Sequence, residues 1–379
     1  MSLFDPRIYS QCELKLKRLL RTYQQRHLFR DGTPLVFSFL VTNRCFLHCA
    51  HCFYHETLAK ASPARFSEEL TLDEFRRLSE SLDWIFMALF CGGEPFLRKD
   101  LHEIIGLFRK NNRLFWADSA TNGQLTHEIV RQVELICQQD KTKVYSLSFS
   151  IDGFEEYNDA VRGKGTFARA LETWRECKKL AALYGNLELN FSTTINHINQ
   201  ASLADFFRWG LAELQPNRVA LLKIRQNPRG GSSLADIDPA SYNEARTVIA
   251  NAVRAGRLGD VNSPGTHLFS SAASQVYQTL LTGKRSFFCY AGRHGAWVDY
   301  NGDVNVCEVF PDAQVSGESL KMGNLRDVDM DFPRLWNSER AKTLKQLVNR
   351  HSACAACTHE TEGFLPSLYF EPNEIRPIQ

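Results

Sequence analysis

The pattern of hydrophobic and polar residues alternates between strand-like and helix-like segments from residue 34 onward. Short apolar runs typical of buried strands occur at residues 34–41, 84–90, 114–121, 144–151, 187–195 and 218–224. Segments with helical periodicity lie between them, at residues 71–83, 101–111, 127–139, 167–185 and 203–214. Repeated strand–helix units predict an α/β fold with a parallel sheet, either open or closed as a barrel.

The segments outside this repeat have other patterns. Residues 6–30 predict a basic helix, and packing on its own domain is favoured over contact with a membrane surface. Residues 225–233 form a loop rich in Gly, Pro and Ser, and helical material follows over 240–285. Beyond it, Asn301 and Gly302 give a hairpin signal, and residues 335–350 predict a helix. The predicted divisions are a helical segment at 1–33, the strand–helix domain at 34–232, a helical linker at 233–285 and a small α+β domain at 286–379.

Composition and charge exclude several classes of protein. The chain has 379 residues, 44% of them hydrophobic, and its net charge of +2 gives no argument for a nucleic-acid partner. No apolar run is long enough for a membrane span, and the first residues lack the apolar core of a signal peptide. We therefore expect a cytoplasmic protein without membrane association. Disulfides are rare in the cytoplasm, so eleven cysteines favour metal ligation.

The cysteines form two sets with ligand-like spacing and a scattered remainder. Cys45, Cys49 and Cys52 follow the first predicted strand, at the rim where active sites form in parallel α/β folds. A cubane iron–sulfur cluster held by three cysteines leaves one iron open, whereas a partial zinc site is the alternative for this loop alone. The second set consists of Cys289, Cys307, Cys354 and Cys357. Buried packing is expected for the other four, which are Cys12, Cys91, Cys137 and Cys177.

The order of motifs along the chain resembles the radical S-adenosylmethionine (SAM) superfamily. The first cysteine set matches its C-x3-C-x2-C loop, although His51 stands where the family usually has an aromatic residue. After the second predicted strand, Gly92, Gly93 and Glu94 match the family's GGE motif. The resemblance implies that these three residues hold the ammonium group of the SAM methionine. The residue types suit that role, because glycines allow close backbone approach and a carboxylate pairs with a cation.

Residues at the later strand ends continue the resemblance. The predicted SAM-binding residues there are Asn122, Ser150, Asp152, Arg162, Thr194 and, more loosely, Asn196. By resemblance, Asn122 lies near the methionine and ribose, while Ser150 and Asp152 hydrogen-bond the ribose. Arg162 faces the SAM carboxylate, which a guanidinium binds through two hydrogen bonds, and Thr194 lies near the adenine. A surface arginine in a Gly-rich loop is the alternative for Arg162.

The resemblance implies a partial (β/α)6 TIM-like barrel and radical chemistry. The open iron of the first [4Fe-4S] cluster would bind SAM, and one electron would cleave SAM to methionine and a 5′-deoxyadenosyl radical. That radical would remove a hydrogen atom from the substrate, so the cofactors carry the hard step. Cys45, Cys49 and Cys52 are therefore expected to be cluster ligands, and no side chain is assigned as a catalytic acid, base or nucleophile.

The second cysteine set resembles the first half of the SPASM signature of radical SAM maturases. Cys289, Gly302 and Cys307 give its C-x12-G-x4-C spacing. The four cysteines of this set would hold one auxiliary [4Fe-4S] cluster, as in the shortened form called a twitch domain. A structural zinc ion on the same four cysteines is the alternative.

A fully ligated auxiliary cluster is expected to transfer electrons rather than bind substrate. If it accepts the electron of the substrate radical, the net reaction is an oxidation, such as a dehydrogenation or the formation of a bond. We therefore expect a radical SAM oxidoreductase. The alternatives are maturation of a ribosomally made peptide, a redox-neutral epimerase acting on a small molecule, and a binding protein without catalysis.

The substrate is less defined by the sequence. Only 44 residues precede Cys45, so no fused peptide-recognition domain is expected, which favours a small molecule over a peptide. Candidate contacts, each equally compatible with a solvated rim, are Lys223, Arg225, Arg229, Tyr300 and Glu308. Cys91, a possible hydrogen donor for an epimerase, is expected to point into the barrel wall. A flavodoxin- or ferredoxin-type protein is the expected electron donor.

Overall fold

A computed structural model describes residues 33–59, 68–225, 228–231, 236–258, 264–308, 314–315, 318–319, 321–355 and 357–358. The predicted N-terminal helix lies outside these residues. The described strands are β1 (Val36–Thr42), β2 (Met87–Gly92), β3 (Trp116–Thr121), β4 (Val144–Ser150), β5 (Leu187–Ile195), β6 (Arg218–Lys223), β7 (Gly295–Val298), β8 (Asp303–Asn305), β9 (Gln314–Val315), β10 (Glu318–Ser319) and β11 (Lys321–Asn324).

The described helices follow the strands in the order that the hydrophobic pattern predicts. They are α1 (His55–Ala59), α2 (Leu72–Ser81), α3 (Leu101–Asn112), α4 (Thr126–Gln139), α5 (Glu155–Arg162), α6 (Thr166–Leu183), α7 (Leu203–Glu213), α8 (Pro239–Arg254), α9 (Pro264–Thr282), α10 (Phe332–Trp336), α11 (Glu339–Leu347) and α12 (Ser352–Ala355). Within these residues, no helix is long and apolar enough to cross a membrane.

One sheet organises the described part of the chain. Its strand order is β11-β8-β7-β1-β2-β3-β4-β5-β6, and β1 to β6 are parallel neighbours in chain order. The carboxyl ends of these six strands therefore lie along the same edge. Among the described residues, β6 and β11 are the two edge strands of this sheet, so the sheet is open and the barrel is partial. The predicted α/β class and parallel sheet are confirmed.

Alternation along β1 separates a helix-packed face from a cavity face. Phe37 and Phe39 are fully buried, and Phe39 stacks on Phe108 of α3 with 4.8 Å between ring centroids. Leu40 is paired in register with Cys91 of β2, and both belong to the opposite face. The aromatic side chains thus fix the register of β1, and the other face is left to line the barrel interior.

Local signals in the sequence explain where the helices begin. Thr71 and Glu74 form a reciprocal capping box at the start of α2, with the Thr71 hydroxyl accepting from the Glu74 N–H at 3.2 Å. Near the C-terminus, the sequence predicted one helix over 335–350, which is wrong. The structure has two helices, because Ser338 caps α11 by accepting from the Ala341 N–H.

The C-terminal hairpin extends the barrel sheet. Strand β7 pairs in parallel with β1, and β8 returns antiparallel beside β7. Gly302 at the hairpin turn has φ +89°, a conformation that favours glycine, as the sequence predicted. The parallel pairing with β1 was not predicted, and it places the region that carries the second cysteine set directly beside the loop that follows β1.

Candidate active site

The first three cysteines lie on the loop that leaves the carboxyl end of β1. Cys45, Cys49 and Cys52 all line one cavity of about 260 Å³. The Ala50 N–H donates to the carbonyl of Val161 in α5 at 2.8 Å, which ties the loop to the fourth strand–helix unit. The sequence prediction that these cysteines share one site at the rim agrees with this placement.

The chemistry of this donor set fits an iron–sulfur cluster. Burial raises the pKa of the Cys45 thiol to about 12, and burial is also the largest cause of the raised pKa values of Cys49 and Cys52. All three are therefore thiols at neutral pH until a metal displaces their protons. Three soft donors that line one cavity with space for a further ligand suit a cubane with one open iron.

Gly92 and Gly93 pack against the backbone that leads into the cysteine loop. The Gly93 N–H donates to the Thr42 carbonyl at 2.9 Å, and Gly92 has φ +142°. A Cβ atom would lie 2.2 Å from the Thr42 oxygen at Gly92 and 2.1 Å from the Arg44 oxygen at Gly93. Both glycines line the cavity. They are therefore required for close contact between two parts of the protein, in addition to any contact with a ligand.

Glu94 lies behind the cavity lining. Its carboxylate is fully buried and accepts from the Asn122 N–H at 2.7 Å and the Thr121 hydroxyl at 2.9 Å. The Phe96 N–H donates to it as well, at 3.3 Å. Burial raises the pKa of Glu94 to about 7, while the hydrogen bonds from Asn122 and Thr121 oppose that rise. In the structure, Glu94 positions the turn after β3, and its contact with the SAM ammonium stays a prediction.

Arg162 and Asp152 form an ion pair at the ends of α5 and β4. Their Nε and Oδ2 atoms are 2.7 Å apart, and a terminal nitrogen of Arg162 lies 3.9 Å from the Cys49 sulfur. The Asp152 carboxylate also accepts from the Thr194 N–H at 2.7 Å. Arg162 lines the cavity, whereas Asp152 is fully buried and is not among the lining residues, and its predicted contact with the ribose stays a prediction. The alternative of a surface arginine is wrong, because Arg162 is 9% exposed.

The structure brings the other predicted strand-end residues together. Asn122, Ser150 and Thr194 line the same cavity as the three cysteines. Asn122 also places its amide nitrogen 4.0 Å from the Cys45 sulfur. Asn196, assigned more loosely, is buried in the turn after β5, where its amide nitrogen donates to the Thr194 carbonyl.

Several cavity residues were missed or misplaced by sequence reasoning. Ser192 lines the cavity two residues before Thr194, and the period of two along β5 was the signal for it. His51 also lines it and is held between Asp152 and Arg162. Cys91 lines the cavity too, so the expectation that it points into the barrel wall is wrong. Trp297 of β7 had no sequence signal, because its place depends on pairing with β1.

The second cysteine set lies around the C-terminal hairpin and α12. Cys289, Cys307 and Cys354 are buried, and Cys357 is half-buried. Asn349 holds Cys289 at both backbone groups, accepting from its N–H at 2.9 Å and donating to its carbonyl at 3.0 Å. In the described ranges, no three His, Cys, Asp or Glu side chains converge closely enough to bind a single metal ion.

The two cysteine-bearing regions are joined at the cavity. Arg225, just beyond β6, forms an ion pair with Glu308, the residue that follows Cys307. The same guanidinium lies over the ring of Phe53, next to Cys52, at 4.9 Å from its centroid. Arg225, Glu308 and Lys223 line the cavity, whereas Tyr300 and Arg229 are not among the lining residues. Arg225 thus links the loop of the first cysteine set to that of the second.

Fold and site together define a radical SAM enzyme with an auxiliary cluster domain, and comparison with known proteins gives the family. The family model of the radical SAM superfamily matches residues 39–209, and the SPASM iron–sulfur cluster-binding domain matches residues 289–358. The chain belongs to the radical SAM superfamily and carries a SPASM-type domain. Its cofactors are SAM and two [4Fe-4S] clusters, so the zinc alternative for the second cysteine set is not adopted.

Two related proteins align with different lengths of this chain. The mycofactocin maturase MftC of Mycobacterium ulcerans is 26% identical over 335 residues, which cover 86% of this chain and 80% of the relative. The Fe-coproporphyrin III synthase of Methanosarcina barkeri is 32% identical over 184 residues, covering 47% of this chain and 41% of that protein.

Solved structures share the fold. Streptococcus suis SuiB bound to S-adenosylmethionine superposes with a TM-score of 0.58 at 14% identity, covering 90% of this chain and 76% of that chain. The structure of anSMEcpe with bound AdoMet gives 0.56 at 16% identity, covering 88% and 91%. These neighbours confirm the radical SAM architecture that the sequence predicted.

The bound cofactors supply the chemistry, and the chain supplies the geometry. A cluster held by Cys45, Cys49 and Cys52 would supply the electron for SAM cleavage, and SAM would supply the group that takes a hydrogen atom from the substrate. The prediction of this activity is confirmed, and a binding protein without catalysis is excluded. In this chain, a backbone hydrogen bond to α5 fixes the cysteine loop, and the stacked rings of Tyr54 and Trp297, 6.4 Å apart, line the cavity.

Proposed function

We propose that this radical SAM enzyme modifies a peptide by a net two-electron oxidation. The peptide substrate is supported by the mycofactocin maturase, whose similarity to this chain spans both cysteine sets. A hydrogen atom passes from the peptide to the 5′-deoxyadenosyl radical. The peptide radical then loses a proton and one electron, and the auxiliary cluster accepts that electron. A one-electron donor of the flavodoxin or ferredoxin type supplies the electron that cleaves SAM.

One observation carries the oxidative assignment. Glu308 directly follows the auxiliary ligand candidate Cys307, and its side chain lines the cavity that also contains Cys45, Cys49 and Cys52. An electron acceptor held by Cys307 would therefore lie beside the space where the substrate radical forms. Trp297, from the same C-terminal region, lines that cavity as well. A domain that served stability alone would not need to contribute side chains to the substrate cavity.

We assign the site residues as follows. Cys45, Cys49 and Cys52 hold the SAM-binding cluster, and the auxiliary cluster is held by Cys289, Cys307, Cys354 and Cys357. The cavity-lining residues assigned to SAM are Gly92, Gly93, Asn122, Ser150, Arg162 and Thr194. Glu94 and Asp152 belong to the same site as positioning residues, because their carboxylates are occupied by protein donors behind the lining.

The test uses full-length protein reconstituted without oxygen, with dithionite and SAM. Release of 5′-deoxyadenosine establishes SAM cleavage, and a candidate precursor peptide encoded beside the gene serves as the substrate. We expect the peptide product to be lighter than the substrate by the mass of two hydrogens. With a deuterium-labelled peptide, the released 5′-deoxyadenosine should carry deuterium. A product of unchanged mass contradicts the oxidation, and modification of a small molecule but no peptide contradicts the substrate class.

A redox-neutral epimerisation is the second candidate, and the position of Cys91 favours it. This thiol lines the cavity, and burial raises its pKa to about 12, so it carries the hydrogen that a substrate radical would take. In deuterated water, an epimerase would place one solvent deuterium in its product and lose that product on Cys91→Ala. Cys137→Ala, a buried cysteine of α4, is the control. Retained product in Cys91→Ala excludes this candidate.

A further inference from the structure

A short segment beyond β6 contacts the cysteine loop through its backbone. The Arg229 N–H donates to the Cys52 carbonyl at 3.2 Å, and the Gly230 N–H donates to the Ala50 carbonyl at 2.6 Å. A Cβ atom at Gly230 would lie 3.1 Å from the Ala50 oxygen, so the two backbones pack closely. Together with the bond from Ala50 to α5, this contact holds the cysteine loop from two sides. The position of Arg229 relative to that loop is therefore fixed by the fold.

The positive charge of Arg229 belongs to a residue held against the cysteine loop and outside the cavity lining. The bond from its backbone N–H to the Cys52 carbonyl places Arg229 directly beside a residue assigned to the cluster. Its Nε atom is buried and finds no hydrogen-bond acceptor in the described part of the chain. Arg229 is not among the residues that line the cavity, which separates it from Arg225 on the same segment.

The charge of Arg229 differs in effect from that of Arg162. Arg162 approaches Cys49 but is paired with Asp152 at 2.7 Å, and that carboxylate acts on Cys49 in the opposite direction. The described residues include no ion pair for Arg229. Among the described residues, no carboxylate pairs with Arg229 to offset its charge beside the cysteine loop.

We propose that Arg229 is a positioning residue whose positive charge stabilises the reduced form of the SAM-binding cluster and so raises its reduction potential. A cluster with thiolate ligands gains negative charge when it accepts an electron. A fixed cation beside the loop that carries those ligands favours the reduced form more than the oxidised form, especially where water is partly excluded. The inference rests on the cluster site and is independent of the substrate class and of the oxidative outcome proposed above.

The experiment compares wild type, Arg229→Lys, Arg229→Gln and Arg229→Met in reconstituted full-length protein. Redox titration followed by EPR gives the midpoint potential of the cluster whose signal changes on addition of SAM, which distinguishes it from the auxiliary cluster. When the solution potential equals the wild-type midpoint, half of the wild-type cluster is reduced. In both neutral variants we expect the reduced fraction of the cluster to fall below roughly one fifth at that potential, whereas the lysine variant stays close to wild type. Arg175→Met, an exposed arginine of α6, is the control.

The outcomes are distinct. Wild-type midpoints in both neutral variants overturn the proposal, and so does a lysine variant shifted as far as the glutamine variant. If the neutral variants lose the SAM-responsive cluster, the iron contents of all three variants are compared instead of their midpoints. Retention in the lysine variant alone supports a requirement for positive charge, and loss in all three variants overturns the charge-based account. Failure of peptide oxidation leaves the midpoint measurement unaffected, so the two proposals fail separately.

Discussion

The carboxylate of Asp152 and the guanidinium of Arg162 form a buried ion pair beside the SAM cavity, with 2.7 Å between Oδ2 and Nε. Asp152 is fully buried and also accepts from the backbone N–H of Thr194. The pair therefore joins the turn after β4, the last turn of α5 and the end of β5. It fixes the one arginine assigned to SAM in the orientation that places it near Cys49.

Removal of both partners of this pair should cost less than the sum of the two single removals. Asp152→Asn leaves a buried guanidinium without its counter-charge, and we expect the free energy of unfolding to fall by about 3 kcal/mol. SAM affinity should fall as well, because Arg162 loses its fixed orientation. Denaturant unfolding without oxygen should show that Asp152→Asn combined with Arg162→Met loses less than the sum of the two single changes. Additive losses would contradict the coupling.

An exposed ion pair provides the matched control for this comparison. Arg208 and Asp205 are paired on the surface of α7, with side chains 54% and 73% exposed. Asp205→Asn should leave the unfolding midpoint and SAM affinity unchanged, because solvent screens such pairs. If Asp152→Asn behaves like Asp205→Asn, the buried pair has no structural role.

Gly93→Ala should remove the SAM-binding cluster while the auxiliary cluster is retained. The added Cβ would lie 2.1 Å from the Arg44 oxygen and 3.1 Å from the Cys45 Cβ, so the cysteine loop must move. We expect iron to fall from about eight to about four per chain, with loss of the SAM-responsive EPR signal. Gly185→Ala is the control, because nothing lies within 4 Å of its added Cβ. Full iron content in Gly93→Ala would show that the loop accommodates the methyl group.

Glu94 should make the protein less stable as the pH rises. Burial raises the folded-state pKa of Glu94 to about 7, from a model-peptide value near 4.5. Between these values, the folded state binds a proton that the unfolded state has lost, so stability falls with rising pH. The resulting loss of unfolding free energy is absent below a pH of about 4.5 and reaches about 3 kcal/mol above a pH of about 7.

The measurement is the difference in unfolding free energy between wild type and Glu94→Gln across this pH range. Since the glutamine cannot ionise, the difference should change in favour of the variant as the pH rises, and it should level off above neutrality. Glu103→Gln, at an exposed position of α3, should show no such trend. A constant difference across the range would mean that Glu94 is ionised in the folded state throughout.

The sequence predicted the parallel sheet because local periodicity encodes strands and helices separately. It also predicted which side chains meet, since the carboxyl ends of parallel strands share an edge, and Asn122, Ser150 and Thr194 do line one cavity. What it missed depends on long-range contacts. The pairing of β7 with β1, which brings Trp297 to the site, has no local signal. The occupied carboxylate of Glu94 likewise depends on a donor from another strand.

Asn349 should be required for the auxiliary cluster and dispensable for SAM cleavage. Its amide bonds both backbone groups of Cys289, and the Arg285 N–H donates to the Ala355 carbonyl at 2.7 Å beside the same turn. These bonds hold Cys289 close to the helix that carries Cys354. Asn349→Ala removes the amide and should lower iron from about eight to about four per chain. The SAM-responsive EPR signal and release of 5′-deoxyadenosine with dithionite should remain.

Two further variants separate the role of this amide from general destabilisation. Asn349→Asp keeps the acceptor for the Cys289 N–H but loses the donor to its carbonyl, so its iron content should lie between those of wild type and Asn349→Ala. Asn251→Ala, at an exposed position of α8, should keep all of its iron. If Asn349→Ala retains both clusters, or loses the SAM-responsive one first, then the Cys289 turn is held by other contacts, because the alanine cannot make either bond.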